Sequence, residues 1–153
     1  MRIIRVGSRD SKLAVMQAAI VMKAIESSSK SIRTKLITMK TTGDKILDKS
    51  LDTIGGKGLF VKELNDALLN NMVDITVHSY KDMPMEINDE LPIVAVSERE
   101  DARDVLILPK TGIDDTKPIG CSSKRRLIQL SALGYRNMAP IRGNVITRLE
   151  KLD

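Results

Sequence analysis

Apolar residues recur along this chain with the spacing of amphipathic helices in two long stretches. In residues 11–28 they return every three or four positions, at Ala14, Ala18, Val21 and Ile25, which places them on one helix face. Residues 60–70 repeat the pattern at Val61, Leu64 and Leu68. Two further helices are predicted from the capping residues that open them, one from Ser122 and Ser123 to Leu133 and one from Gly143 and Asn144 to the end.

Short apolar runs bounded by turn residues predict the strands. They cover residues 2–6, 33–40, 73–78, 93–96, 105–108, 118–121 and 139–142. Gly7 is expected to end the first strand, a turn is expected at residues 42–44, and Pro84 prevents a central strand from continuing past His78. Because strands and helices alternate, the fold class is α/β with a largely parallel sheet, and ligands of such sheets bind where strand ends enter helices.

Composition limits the class of protein. The chain has 153 residues, 42% hydrophobic and 29% charged, with one Phe, two Tyr and no Trp, so its core must be aliphatic. No apolar run approaches the roughly 20 residues of a membrane span. A single cysteine, Cys121, excludes an internal disulfide and fits a reducing cytosol, where a buried, inert thiol is its ordinary interpretation.

The charge balance points to anionic ligands. The net charge is +5, but the basic residues are dispersed and few aromatic side chains are present for base stacking, which favours small anions over nucleic acid. Cations follow the predicted strand ends at Arg9, Lys81, Arg142 and the run Lys124-Arg125-Arg126. Backbone N–H groups and guanidinium forks at a helix start bind anions. Three cations in a first helical turn oppose the helix dipole and lower stability unless an anion binds there. The alternative to such an anion site is that the run is a solvated surface.

Asp82 is the carboxylate most suited to proton transfer, since it follows an apolar strand beside Lys81 in a turn constrained by Pro84. A turn residue or salt-bridge partner is the alternative. His78, the only histidine, is expected to be buried and hydrogen-bonded. No residue spacing resembles a transition-metal site, and the glycines around Lys57 predict a mobile loop, not a nucleotide-phosphate loop.

Five segments together resemble the porphobilinogen deaminase family. They are GSRDSKLA (7–14), GGKGLFVKEL (55–64), DITVHSYKDMP (74–84), EREDARD (98–104) and RGNVITRL (142–149). They occur in family order across essentially the whole chain. The resemblance implies a cytoplasmic, usually monomeric transferase of haem biosynthesis, the hydroxymethylbilane synthase that condenses four porphobilinogens and releases ammonia at each step.

The resemblance also implies the fold. The first two of three domains would be of the periplasmic-binding-protein type (type II), with the active site in the cleft between them. Residues 1–98 would form domain 1 without its later returning segment, residues 99–104 the crossing, and residues 105–153 the first part of domain 2. A chain limited to these parts is not expected to be active alone, and its unpaired sheet edges leave self-association open.

Residue roles carry over position by position. Asp82 matches the catalytic aspartate, and Lys57 falls in the family's mobile segment. The residues that match binders of cofactor and substrate carboxylates are Arg9, Ser11, Lys81, Ser123, Arg125, Arg126, Arg142 and Arg148. The cofactor would be a dipyrromethane bound to a cysteine of the third domain, and Cys121 does not match that cysteine. The resemblance implies no metal. A non-catalytic anion-binding module of the same fold is the competing hypothesis.

Overall fold

The computed structural model describes residues 1–46, 58–86, 88–112 and 114–152. The chain forms two compact units, Met1–Ser97 and Glu98–Asp153. Within the described ranges no helix is both long and apolar enough to cross a bilayer.

The first unit is built on a parallel sheet with β1 at its centre. Its described elements, in chain order, are β1 (Arg2–Arg9), α1 (Lys12–Ser28), β2 (Ile32–Met39), α2 (Thr42–Lys45), α3 (Lys62–Leu69), β3 (Ile75–Thr76) and a 3₁₀ helix (Tyr80–Asp82). The strand order is β2-β1-β3, and both pairings are parallel. The carboxyl ends of these strands therefore meet at one edge of the sheet.

The core surrounds the centre of β1. Val6, Gly7 and Ser8 are buried, and Leu64 of α3 is buried against the same region. A Cβ on Gly7 would lie 3.0 Å from Thr76 Cγ2 and 3.3 Å from Leu64 Cδ2, tighter than ordinary van der Waals contact. The missing side chain therefore lets β3 and α3 approach β1 closely.

The second unit contains a shorter parallel pairing. Its described elements are β4 (Ile119–Gly120), α4 (Lys124–Ala132), β5 (Met138–Ala139) and α5 (Val145–Glu150). Beyond the paired residues, Ser122 Oγ donates to the Ile141 carbonyl at 2.7 Å and accepts from the Ile141 N–H at 2.8 Å. One side chain thus extends the connection between the two strands.

The predicted α/β class with parallel sheets is confirmed, but several predicted bounds were wrong. Gly7 does not end β1, because β2 pairs with it in register as far as Arg9 and Met39. Residues 42–44 form one turn of helix, α2, and not a simple turn. The strand predicted over residues 73–78 pairs only at Ile75–Thr76, and those predicted over 118–121 and 139–142 pair only at Ile119–Gly120 and Met138–Ala139.

The strands predicted at residues 93–96 and 105–108 are absent from the structure. Neither segment takes part in a sheet within the described residues, and their apolar side chains are exposed, Val94 and Val105 each by 81%. A β-branched run favours an extended backbone, but a strand also needs a neighbour to hydrogen-bond with.

Candidate functional site

In the first unit, charged side chains converge where the parallel strands end. Arg9 is the last residue of β1, Asp44 lies in α2 just after β2, and Asp82 lies in the 3₁₀ helix after β3. All three are half-buried. The sheet topology thus brings together one cation and two carboxylates that are far apart in the chain.

Arg9 and Asp44 form a two-point ion pair. Arg9 Nε donates to Asp44 Oδ2 at 3.0 Å, and Arg9 Nη2 donates to Asp44 Oδ1. Asp44 is held in turn by Thr41, whose backbone N–H and hydroxyl both donate to Oδ2, at 3.2 and 2.7 Å. This reciprocal cap at the start of α2 fixes the carboxylate independently of Arg9.

Asp82 faces the remaining nitrogen of the same guanidinium. Arg9 Nη1 lies 3.6 Å from Asp82 Oδ2, and the two side chains are 21% and 20% exposed. The Phe60 ring covers the guanidinium plane, with its centroid 4.4 Å from Arg9 Cζ. Arg9 therefore binds Asp44 through two hydrogen bonds and meets Asp82 by a longer, single contact.

The electrostatics follow from this arrangement. Burial acts to raise the pKa of Asp44, but the hydrogen bonds from Arg9 and Thr41 outweigh it and the pKa lies below its ordinary value. Burial acts to lower the pKa of Arg9, yet its bond to Asp44 leaves that pKa raised. Both groups are therefore charged near neutral pH.

Two contacts fix α2 against the start of α3. Gly43 N–H donates to the Leu59 carbonyl at 2.9 Å, and Glu63 Oε1 accepts from the Thr42 N–H at 2.7 Å. A Cβ on Gly43 would come within 2.3 Å of the Phe60 ring. Glycine at this position allows Phe60 to lie over Arg9.

His78, near this group, forms a 3.1 Å hydrogen bond to Thr76 Oγ1, as predicted, but it is half-buried and not buried. Burial lowers the pKa of His78. The negative charge of Asp82 acts to raise this pKa, and the positive charge of Arg9 acts to lower it further. The histidine is therefore neutral near neutral pH and adds no charge to the cluster.

The other predicted residues of this unit are less engaged. Ser11 caps α1, accepting the Ala14 N–H at 3.4 Å, and Lys81 is exposed in the 3₁₀ helix beside Asp82. Lys57 lies outside the described residues, and of the mobile loop predicted around it only Gly58 is described.

In the second unit, two of the predicted arginines contact a carboxylate of the chain itself. Arg125 binds Asp104 through Nη1 at 2.7 Å and Nη2 at 3.0 Å, and Arg126 Nε donates to Oδ1 of the same carboxylate at 3.0 Å. Hydrogen bonds from Arg125 and then Arg126 lower the pKa of Asp104 to about 2. Two cations around one anion leave a net positive charge at the start of α4, where Ser123 is the N-cap.

Arg142 and Arg148 lie around the start of α5. Arg148 Nε donates to the Gly143 carbonyl at 2.8 Å, and Lys151 Nζ donates to the Arg142 carbonyl at 3.1 Å. Arg142 is half-buried and Arg148 exposed. One donor of Arg148 is thus hydrogen-bonded to the turn that precedes its own helix.

Sequence reasoning missed Asp44, Asp104 and Phe60. The pattern Thr41-x-x-Asp44 is a helix-start signal that could have identified Asp44 as fixed, and Asp104 stood in the charged segment considered only as a crossing. No local signal identified which arginine each carboxylate binds. Among the described residues, no group of three or more His, Cys, Asp or Glu side chains could hold a metal ion.

Comparison with known proteins identifies the family. Residues 4–153 match the family model described as "Porphobilinogen deaminase, dipyromethane cofactor binding domain". The chain is 66% identical to the porphobilinogen deaminase of Acetivibrio thermocellus, covering 98% of this chain and 52% of that protein. It is 64% identical to that of Ruminiclostridium cellulolyticum (100% and 53%) and 47% identical to that of Moorella thermoacetica (98% and 50%). The chain spans about half the length of these curated relatives, and it belongs to the porphobilinogen deaminase family.

Proposed function

We propose that the complete protein is a hydroxymethylbilane synthase, a transferase of tetrapyrrole (haem) biosynthesis that condenses four porphobilinogens with release of ammonia. The observation that carries the proposal is Asp82, a half-buried carboxylate at the carboxyl edge of the sheet. It lies 3.6 Å from Nη1 of Arg9, whose other two guanidinium nitrogens already bind Asp44. The family match supports the same assignment.

Asp82 has the charge that this reaction needs. Loss of ammonia from porphobilinogen leaves a cationic azafulvene-like species, and a fixed carboxylate nearby stabilises the positive charge as it develops. The same carboxylate can exchange a proton with the pyrrole nitrogen. The proton that restores aromaticity after the new carbon–carbon bond has formed is lost from the ring carbon that made the bond. Lys81, exposed beside Asp82, is a candidate partner for a substrate carboxylate.

The proposed ligands are polycarboxylates, because each pyrrole unit bears an acetate and a propionate. Planar guanidinium groups bind carboxylates through two hydrogen bonds, and the helix N-caps provide hydroxyls beside them. The proposed binders are Arg9, Ser11, Lys81, Ser123, Arg125, Arg126, Arg142 and Arg148.

The donor set of the second unit fits a dipyrromethane with its four carboxylates, since Arg125 and Arg126 retain a net positive charge after pairing with Asp104. When bound, this group supplies the end from which the pyrrole chain grows. We place no attachment at Cys121, because that side chain is only 7% exposed and its Sγ lies 3.7 Å from the Ser123 carbonyl oxygen.

The finer fold assignment belongs to the same proposal. The parallel order β2-β1-β3 is compatible with a type II periplasmic-binding-protein domain over residues 1–98, followed by a crossing at 99–104 and the start of a similar domain at 105–153. A cytoplasmic location agrees with the single cysteine.

The test is to incubate the complete protein with porphobilinogen and measure both ammonia and bilane. Release of ammonia with formation of a tetrapyrrole supports the proposal. Porphobilinogen binding without ammonia release would instead identify a non-catalytic anion-binding module.

A further inference from the structure

We infer that Asp44 is a positioning residue, which holds Arg9 through two hydrogen bonds and so leaves the negative charge of Asp82 available to the substrate. The inference rests on the proposed function of Asp82. It assigns to Asp44 a role that acts through Arg9 and not by contact with the reacting atoms.

The geometry shows two carboxylates competing for one guanidinium group. Asp44 accepts hydrogen bonds from Nε and Nη2 of Arg9, the edge of the guanidinium that makes a two-point pair. Asp82 lies near only Nη1, with 3.6 Å between Nη1 and Asp82 Oδ2. That separation is longer than a charge-assisted hydrogen bond of about 2.7–2.9 Å. Asp82 therefore lies beside the cation without being fully neutralised by it.

Asp44 is fixed from the other side, so it cannot follow Arg9 if Arg9 moves. Thr41 is fully buried and donates two hydrogen bonds to Asp44 Oδ2. Phe60 covers the guanidinium plane at 4.4 Å. The orientation of Arg9 is thus determined by its fixed carboxylate on one edge and an aromatic ring on one face.

The charge balance gives the consequence. Asp44, Arg9 and Asp82 together carry one net negative charge, which a cationic intermediate would complement. If Asp44 lost its charge, a half-buried guanidinium would have only Asp82 within reach among these residues, and it would turn its two-point edge toward that carboxylate. The pair would then be neutral, and Asp82 would be a weaker partner for the substrate.

The experiment is Asp44→Asn in the complete protein, with porphobilinogen turnover measured over a range of concentrations. We expect kcat to fall by about 10- to 100-fold, less than the full loss expected for a deleted electrostatic group, and KM to change less than about threefold. Asp44→Glu, which keeps the charge, should recover part of kcat.

The matched control is Asp74→Asn. Asp74 forms a similar pair with Arg5, which lies in the middle of β1, four residues before Arg9; Arg5 Nη2 is 2.7 Å from Asp74 Oδ1. Its removal should lower stability without changing kcat per folded molecule. A merely structural role for Asp44 would make the two variants behave alike.

A double variant isolates the route of the effect. If Asp44 acts through Asp82, then Asp44→Asn combined with Asp82→Asn should be no slower than Asp82→Asn alone, whereas independent roles would multiply. Multiplying effects, a kcat equal to that of Asp74→Asn, or a change confined to KM would each overturn the inference.

If Asp44→Asn does not fold, Thr41→Val removes one bond to Asp44 and should lower kcat in the same direction; an unchanged kcat would overturn it. A wild-type protein that releases no ammonia would refute the proposed function instead.

Discussion

Replacing Asp82 with Asn is the most direct test of the proposed site. The substitution keeps the size of the side chain and removes its charge and its basic oxygen. Arg9 should stay in place, because its two-point pair with Asp44 does not involve Asp82. A loss of activity would then report the missing charge and not a collapsed site.

The expected magnitude follows from the distance and the exposure. Arg9 Nη1 lies 3.6 Å from Asp82 Oδ2, so a cation can approach this carboxylate to about 4 Å. At that distance and an effective dielectric constant of about 20, two unit charges interact by about 4 kcal/mol. Because a fifth of the Asp82 side chain is exposed, solvent reduces this value, and about 3–4 kcal/mol corresponds to two to three orders of magnitude in rate.

The loss should fall on kcat more than on KM, because the cationic charge develops only during the reaction. The assay is single-turnover and steady-state release of ammonia by the complete protein. Asp66→Asn, the same change on the exposed side of α3, is the control and should leave the rate unchanged. A near-normal rate for Asp82→Asn would refute the catalytic role assigned to Asp82.

Three other predictions follow from single contacts. Gly43→Ala should lower the thermal unfolding midpoint, because the new Cβ would lie 2.3 Å from the Phe60 ring and such overpacking costs about 1–3 kcal/mol; an unchanged midpoint would contradict the packing argument. Asp104, with its pKa lowered from 3.8 to about 2 by its two arginine partners, should stabilise the fold above pH 4 and lose that contribution as the pH falls through 2. An NMR titration of its carboxyl carbon checks this, and a midpoint near 3.8 would refute the pairing. The Cys121→Ser variant should retain any bound dipyrromethane, which an intact-mass measurement checks. Loss of the dipyrromethane from the variant would show that this buried thiol is the attachment point.

The sequence alone determined the features that depend on near neighbours in the chain. Helical periodicity predicted α1 and α3, and the predicted caps Ser11, Ser123 and Asn144 each accept a backbone N–H at a helix start. Cap residues and periodicity act within a few positions, so a local pattern is sufficient to identify them. The alternation of strands and helices gave the α/β class for the same reason.

Pairing between distant segments was decided only by the tertiary structure. The segments at residues 93–96 and 105–108 have the composition of strands but no strand partner in the described residues. Arg9 could be predicted as a cation at a strand end, yet its hydrogen bonds to Asp44 span 35 positions. Parallel register places the ends of β1, β2 and β3 at one edge of the sheet. That placement, and not any property of the separate residues, decides that Asp44 binds Arg9 and that Asp82 remains available.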